Sequence, residues 1–224
     1  MEHRKIVIIP TYNEKENIEK MIRKVRSLEG DFHILVVDDG SPDGTGAIVK
    51  GLQSEFNESL FILERSGKQG LGTAYKAGFR WCLGHGYDYI FEMDADFSHN
   101  PEDLIRLYNA CAQGGADMSI GSRYIKGIAV RDWPLSRIMI SYGASFYVRT
   151  VLGMRVYDST AGFVCYSSKV LRAIDLDRVQ MKGYGFQIEM KYNAWKLGFK
   201  IKEVPIIFTD RKEGKSKMSS SIFG

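Results

Sequence analysis

Short apolar runs and stretches of helical periodicity alternate along the first hundred residues. Residues 5–10 carry Ile-Val-Ile-Ile at consecutive positions, the pattern of a strand covered on both faces. A helix is expected next, with Asn13 as N-cap, Glu16 three residues on, and Ile18, Met21, Ile22, Val25 and Leu28 on one face. Residues 33–38 form a second apolar strand, and helix over about 45–56, strand 60–64, helix 73–83 and strand 89–93 follow in turn. Repeated β-α-β units predict an α/β fold with a mostly parallel central sheet and helices on both faces. Beyond Pro101 the alternation loosens: 101–113 reads as helix, 116–121 as strand, 162–166 as strand, 185–197 as helix and 202–208 as the last strand, while 128–160 holds no clear strand. No repeat or linker divides the chain. Residues 1–210 are expected to form one domain, followed by a basic, polar and mobile tail over 211–224.

In such sheets ligands bind at the carboxyl ends of the strands. Three polar clusters stand where three predicted strands end: Pro10-Thr-Tyr12-Asn-Glu14, Asp38-Asp39-Gly-Ser, and Asp94-Ala-Asp96. They are expected to meet on one rim. Asp94 and Asp96, two apart after a strand, can face one hard cation, and oxygen-only ligation suits Mg²⁺ or Mn²⁺ shared with substrate phosphates. The plainer alternative is a turn in which Asp caps the helix after Asn100-Pro101. One acid suffices for the turn at 38–45, so the second is read as an acceptor for a base N–H or a ribose hydroxyl. Glycines with a cation at 65–73 open a predicted helix and suit a phosphate, yet the spacing matches neither a dinucleotide-binding loop nor a P-loop. Gly214-Lys215-Ser216 mimics the end of a P-loop, but Thr209 stands where its first glycine is required.

The later part of the chain is cationic at Arg123, Arg131, Arg137, Arg211, Lys212 and Lys215. Arginine forks suit phosphate groups, although single surface cations are ordinarily only solvated. Between Pro134 and Gly153 a helical stretch is rich in apolar and aromatic residues, too short and too charged at Arg137 and Arg149 to span a bilayer. It either packs internally or lies in a membrane interface. Asp158 is a spare carboxylate, read first as turn-stabilising and second as a base.

Composition narrows these options. The 224 residues are 44% hydrophobic and 26% charged, as in a globular domain with a sizeable core. A net charge of +4 is too mild for a dedicated nucleic-acid binder. Cys82, Cys111 and Cys165 are scattered and odd in number, which points to reduced thiols and a cytoplasmic setting. The four dispersed histidines give a zinc site little support. No apolar run approaches the length of a membrane span or signal peptide.

Taken in order, Ile-Ile-Pro-Thr-Tyr-Asn-Glu, Val-Val-Asp-Asp-Gly-Ser-Pro-Asp-Gly-Thr, Met-Asp-Ala-Asp-Phe-Ser-His, Gly-Ser-Arg-Tyr, Asp-Trp-Pro-Leu-Ser-Arg and Arg-Lys-Glu-Gly-Lys-Ser-Lys-Met resemble the inverting glycosyltransferases of family 2. Among them the closest resemblance is to the dolichyl- and polyprenyl-phosphate mannose synthases. The resemblance covers nearly the whole chain. It implies a GT-A fold, with a Rossmann-like nucleotide-binding half and an acceptor-binding half. It implies that Pro10, Tyr12, Glu14 and Asp39 hold the donor nucleotide and that Asp94 and Asp96 bind Mg²⁺ or Mn²⁺. Arg123, Arg137, Ser141, Arg211 and Lys215 are implied to contact donor diphosphate or acceptor phosphate, with Arg123 joining Asp94 and Asp96 as the catalytic set. Relatives often have Gln as a further metal ligand where this chain has Ser98.

The implied reaction is mannose transfer from GDP-mannose to a polyprenyl (dolichyl) phosphate with inversion, by a protein peripheral on the cytosolic face of a membrane. Without transmembrane helices of its own, attachment is expected to rest on 134–153, the basic tail, a membrane-anchoring partner subunit or residues beyond Gly224. The rivals are a UDP-glucose-dependent polyprenyl-phosphate glucosyltransferase, a nucleotidyltransferase, and a non-catalytic membrane-associated subunit that binds a nucleotide-sugar. A nucleotidyltransferase would carry a Gly-rich, cationic loop after the first strand, where this chain has Pro-Thr-Tyr-Asn-Glu.

Overall fold

The computed structural model describes residues 3–210. Seven strands make the central sheet: β1 (Lys5–Thr11), β2 (Phe32–Asp38), β3 (Leu60–Glu64), β4 (Tyr89–Glu92), β5 (Met118–Ser122), β7 (Val164–Ser167) and β8 (Ile201–Pro205). Their order is β3-β2-β1-β4-β7-β5-β8, parallel throughout except for β7, which runs antiparallel to both β4 and β5. Two short strands, β6 (Val130–Arg131) and β9 (Phe208–Thr209), pair beside it.

The consecutive apolar residues of β1 split between two cores, as a doubly covered strand requires. Ile6 and Ile8 face α3 (Leu71–Gly84), α6 (Ser168–Ala173) and α7 (Tyr184–Lys196), among Tyr75, Phe79, Leu171, Phe186 and Met190. Val7 and Ile9 face α1 (Ile18–Arg26), α2 (Thr45–Phe56) and α4 (Asp103–Ala112), among Met21, Ile22, Val49, Leu104 and Leu107. The remaining helix, α5 (Leu135–Leu152), lies outside both cores apart from Val148 and Leu152.

Three expectations are corrected. Asn13 is not the N-cap of α1: it has φ 57°, its backbone N–H donates to Ser41 Oγ at 3.0 Å, and α1 begins only at Ile18. The polar groups of this segment tie β1 to the loop after β2 instead, through Glu14 N–H to Thr45 Oγ1 (3.0 Å) and Lys15 N–H to Asp43 Oδ2 (3.1 Å). The expected strand over 202–208 is broken after Pro205, and Phe208 donates its N–H to Ala129, outside the central sheet. The stretch 128–160 does contain a strand, the two-residue β6, too short to leave a periodic signal.

A close approach joins α3 to α7. A Cβ on Gly72 would lie 2.9 Å from Phe186 Cδ2 and 3.0 Å from its Cγ. Gly72→Ala is expected to cost about 1–2 kcal/mol, overpacking outweighing the gain in helix propensity. Urea unfolding monitored by circular dichroism checks it.

Candidate active site

The carboxyl ends of β1, β2 and β4 open into a single cavity of about 380 Å³. Pro10, Tyr12, Glu14, Asp39, Asp94 and Asp96 all line it, so the three polar clusters do meet on one rim. The two acids after β2 divide their work. Asp38 holds the turn, accepting from Thr11 Oγ1 (2.8 Å), Ser41 Oγ (2.6 Å) and the Ser41 N–H (2.9 Å). Asp39 faces the cavity and accepts from Arg65 Nε (2.6 Å) and the Gln69 N–H (3.1 Å). It thereby anchors the glycine-rich segment before α3, which brings Lys68 to 5.2 Å from the Tyr12 ring. A hydrogen-bonded wall results, with an aromatic ring and a cation beside it.

Asp94 and Asp96 line the same cavity. The Ser98 N–H donates to Asp96 Oδ1 at 3.0 Å and fixes that carboxylate, while Asp94 keeps 40% of its side chain exposed. Between them and Ser98 the chain passes through Phe97 at φ 59°, a left-handed conformation rare for a bulky residue and typical of strain at functional loops. Below, His99 stacks on Phe163 with ring centroids 4.9 Å apart. Burial pulls its imidazole below the usual range, against the nearby Asp96 charge, so the ring is neutral.

The far side of the cavity is cationic and aromatic. Arg123 is buried and forked onto Asp158, by Nε to Oδ2 (2.8 Å) and Nη2 to Oδ1 (2.6 Å), with Nη2 also reaching Thr160 Oγ1 (2.9 Å). Burial disfavours its charge, but Asp158 more than offsets this and its pKa is raised. Asp158 is in turn held through its backbone N–H by Glu203 Oε1 (2.9 Å). Both oxygens of this fully buried carboxylate accept from Arg123, so the geometry suits a structural anchor rather than a base. Arg137 lies 4.0 Å over the Trp133 ring and donates to Asp210 Oδ2 at 2.9 Å, held from two sides at the cavity edge.

Beneath the floor lies a polar cluster absent from the expected set. Lys191 donates to Ala161 O (2.6 Å) and Gln187 Oε1 (3.2 Å), while Gln187 Nε2 donates to Glu92 Oε2 (2.8 Å). Burial pushes the Glu92 carboxyl up and the Lys191 ammonium down, each opposed by the other's charge. The cluster ties the β4 strand that carries Asp94 to α7 and to the 160–162 wall of the cavity. Lys191→Met is expected to lower stability by about 3 kcal/mol by leaving a buried carboxyl uncompensated. Thermal unfolding of the two proteins side by side is the check.

Of the expected site residues, Arg123 and Arg137 join the six above in lining the cavity, whereas Ser141 does not. Its Oγ accepts from Tyr124 O–H at 2.7 Å on the inward side of α5. Arg211 and Lys215 lie outside the described residues. The residues not foreseen are His99, Trp133, Gln187 and Lys191, while Arg65, expected in a segment suited to phosphate, is engaged by Asp39. Glu92 had a signal, a charge inside an otherwise apolar strand, but its partners on α7 are nearly a hundred residues away and left none.

Solved structures share this architecture. Glucosyl-3-phosphoglycerate synthase from Mycobacterium tuberculosis, in complex with phosphoglyceric acid, superposes with a TM-score of 0.69 at 20% identity, over 95% of this chain and 73% of that one. The same enzyme with Mn²⁺, uridine diphosphate and glucosyl-3-phosphoglycerate gives 0.68 at 20% identity and the same coverages. The fold is thus the GT-A fold of nucleotide-sugar-dependent glycosyltransferases. Residues 6–179 match the family described as Glycosyl transferase family 2, and the chain belongs to that family. It is 50% identical over 218 residues to a polyprenol monophosphomannose synthase of Mycolicibacterium smegmatis, covering 97% of this chain and 82% of the relative. It is 48% identical over 221 residues to an undecaprenyl-phosphate mannosyltransferase of Micrococcus luteus, covering 99% and 90%.

Proposed function

We propose that this glycosyltransferase moves mannose from GDP-mannose to a polyprenyl phosphate with inversion, at the cytosolic face of a membrane. The observation that carries the reading is one cavity lined both by Tyr12, Asp39 and the Asp94–Asp96 pair and by Arg123, Trp133 and Arg137. Two relatives half identical to the chain and named for transfer of mannose to prenyl phosphates support it.

Asp94 and Asp96 fit a shared hard cation. Both offer only oxygen, and among the described residues no third His, Cys, Asp or Glu completes a protein cage, as expected of an ion that draws its other ligands from diphosphate and water. When bound, Mg²⁺ or Mn²⁺ would neutralise charge on the departing diphosphate. The chain's own residues position the reactants. Tyr12, Glu14 and the Asp39–Arg65 pair hold the nucleotide, Pro10 shaping the wall beside them. Arg137, braced by Trp133 and Asp210, takes the acceptor phosphate.

A phosphate oxygen of the acceptor attacks the anomeric carbon from the face opposite the nucleotide. The carbon–oxygen bond to the diphosphate breaks, and its electron pair leaves with GDP. A phosphate monoester is already anionic near neutral pH, with a second pKa of about 6. No general base is required, which agrees with Asp158 being fully engaged by Arg123. Catalysis then rests on proximity and charge compensation.

Among the described residues no helix is long and apolar enough to cross a membrane. The test offers labelled GDP-mannose and labelled UDP-glucose separately, each with polyprenyl phosphate and divalent metal. Label from GDP-mannose is expected in the organic phase. Transfer from UDP-glucose alone would replace the mannose assignment with a glucosyltransferase, and transfer from neither would leave a nucleotide-sugar-binding subunit.

A further inference from the structure

Past the end of β4 the chain keeps the strand's alternation. Ile90 packs in the core that α3 and α7 cover, and Glu92 reaches Gln187 on α7. Phe91, Met93 and Ala95 lie in the opposite core, among residues of α1 and α4. Asp94, between Met93 and Ala95, therefore leaves the backbone on the side of α3 and α7. On α3, Tyr75 lines the cavity together with Asp94 and Asp96.

Tyr75 is fully buried, and among the described residues its hydroxyl has no hydrogen-bond partner. Its ring is held by two neighbours: Phe186 at 6.1 Å between centroids and 6° between planes, and Phe79 at 6.2 Å and 22°. A phenylalanine would keep both stacks without leaving a buried polar group unpaired, which costs free energy. The hydroxyl is thus the feature to explain. Burial first, and then the charge of Asp94, push it well above the usual tyrosine range, so it remains a donor. Glu92, the next charge it feels, has one oxygen unpartnered but is buried and fixed by Gln187 Nε2 at 2.8 Å. Asp94 keeps 40% of its side chain exposed and can turn within the cavity. A carboxylate that ligates a cation through one oxygen leaves the other as an acceptor, and hydrogen bonds to it fix the ligand.

We infer that Tyr75 is a positioning residue of the cation site: with the ion bound, its O–H donates to the Asp94 carboxylate and fixes that ligand's orientation. The inference rests on the proposed reading that the acid pair holds a divalent cation.

The test is calorimetric titration of GDP into the wild type and Tyr75→Phe at a series of fixed Mn²⁺ concentrations, and with a chelator. The Mn²⁺ concentration that half-saturates the tightening of GDP binding should rise by about tenfold or more in the variant. Its GDP affinity with the chelator should be unchanged. Its melting temperature should not fall, because the hydroxyl removed had no partner in the fold. An equal half-saturating concentration in the two proteins overturns the inference. So does a variant that melts lower or binds GDP more weakly with the chelator, since the hydroxyl then serves the fold or the nucleotide wall. A wild type whose nucleotide binding ignores Mn²⁺ contradicts the cation reading itself, and Tyr75 falls with it. A wild type that responds, beside a variant that responds equally, removes Tyr75 alone. If the wild type binds UDP and not GDP, the proposed donor changes and the same titration with UDP decides the role of Tyr75.

Discussion

Asp96→Asn should leave less than about one thousandth of wild-type kcat/KM for sugar transfer. The amide keeps the shape of the side chain and an oxygen able to accept the Ser98 N–H, so the loop through Phe97 retains its anchor. What is removed is one of the two negative charges that the β4 end presents to the cavity. Among the described residues no group of three acidic, histidine or cysteine ligands is gathered, so no further such side chain there replaces it. A cation bound through two carboxylates and a diphosphate loses affinity steeply when one carboxylate becomes neutral. The check is steady-state transfer at saturating metal, with a melting curve to establish that the variant is folded. Activity within tenfold of wild type would remove these aspartates from the chemistry.

The second large effect is on stability. Asp158→Ala should lower the unfolding free energy by about 3–5 kcal/mol, because it leaves the Arg123 guanidinium buried without its counter-charge. For a domain of this size that is a fall of about 6–20 °C in Tm. The bidentate geometry, the Thr160 contact and the complete burial of Asp158 place this pair among those whose breaking is costly. Replacing both partners by apolar residues, Arg123→Met with Asp158→Leu, should cost distinctly less than the single change, since no orphaned charge remains. Equal losses in the single and double variants would mean that packing, not charge, sets the penalty.

The parts of the fold that sequence makes legible are those with a local signal. The runs ending at Pro10, Asp38 and Met93 read as strands buried on two faces, and β1, β2 and β4 are such strands, splitting their side chains between two cores. Because parallel strands end on the same edge, their three polar ends can be placed on one rim from the sequence alone. The antiparallel β7 was not legible in direction: its sequence carries an apolar run, but pairing partners are set by the crossovers around it. Asn13 misled for a related reason. An Asn before an amphipathic run has the chemistry of a cap, yet here the backbone of 13–15 bonds to Ser41, Asp43 and Thr45 across the site.

The site divides in the same way. Residues inside contiguous motifs, from Pro10 to Arg137, could be assigned from spacing and resemblance, and they line the cavity. Their supports could not. Lys191 on α7 and Glu203 on β8 act on Gln187 and Asp158 through contacts between segments far apart in the chain, and as single charges in ordinary helical and strand patterns they look like surface residues. The outward face of α5 was legible only in half. Its apolar content was plain, but whether that content faced a core or the outside depended on the packing of everything else.

The central claim is that the acid pair after β4 and the wall after β2 act together on one nucleotide diphosphate. Calorimetric titration of GDP into the wild-type chain and into Asp96→Asn, each with Mn²⁺ and again with a chelator, tests it directly. The account predicts that Mn²⁺ tightens GDP binding by about tenfold or more in the wild type, and that this increment vanishes in the variant while its weak metal-free binding persists. An equal metal increment in both proteins, or none in the wild type, would contradict it.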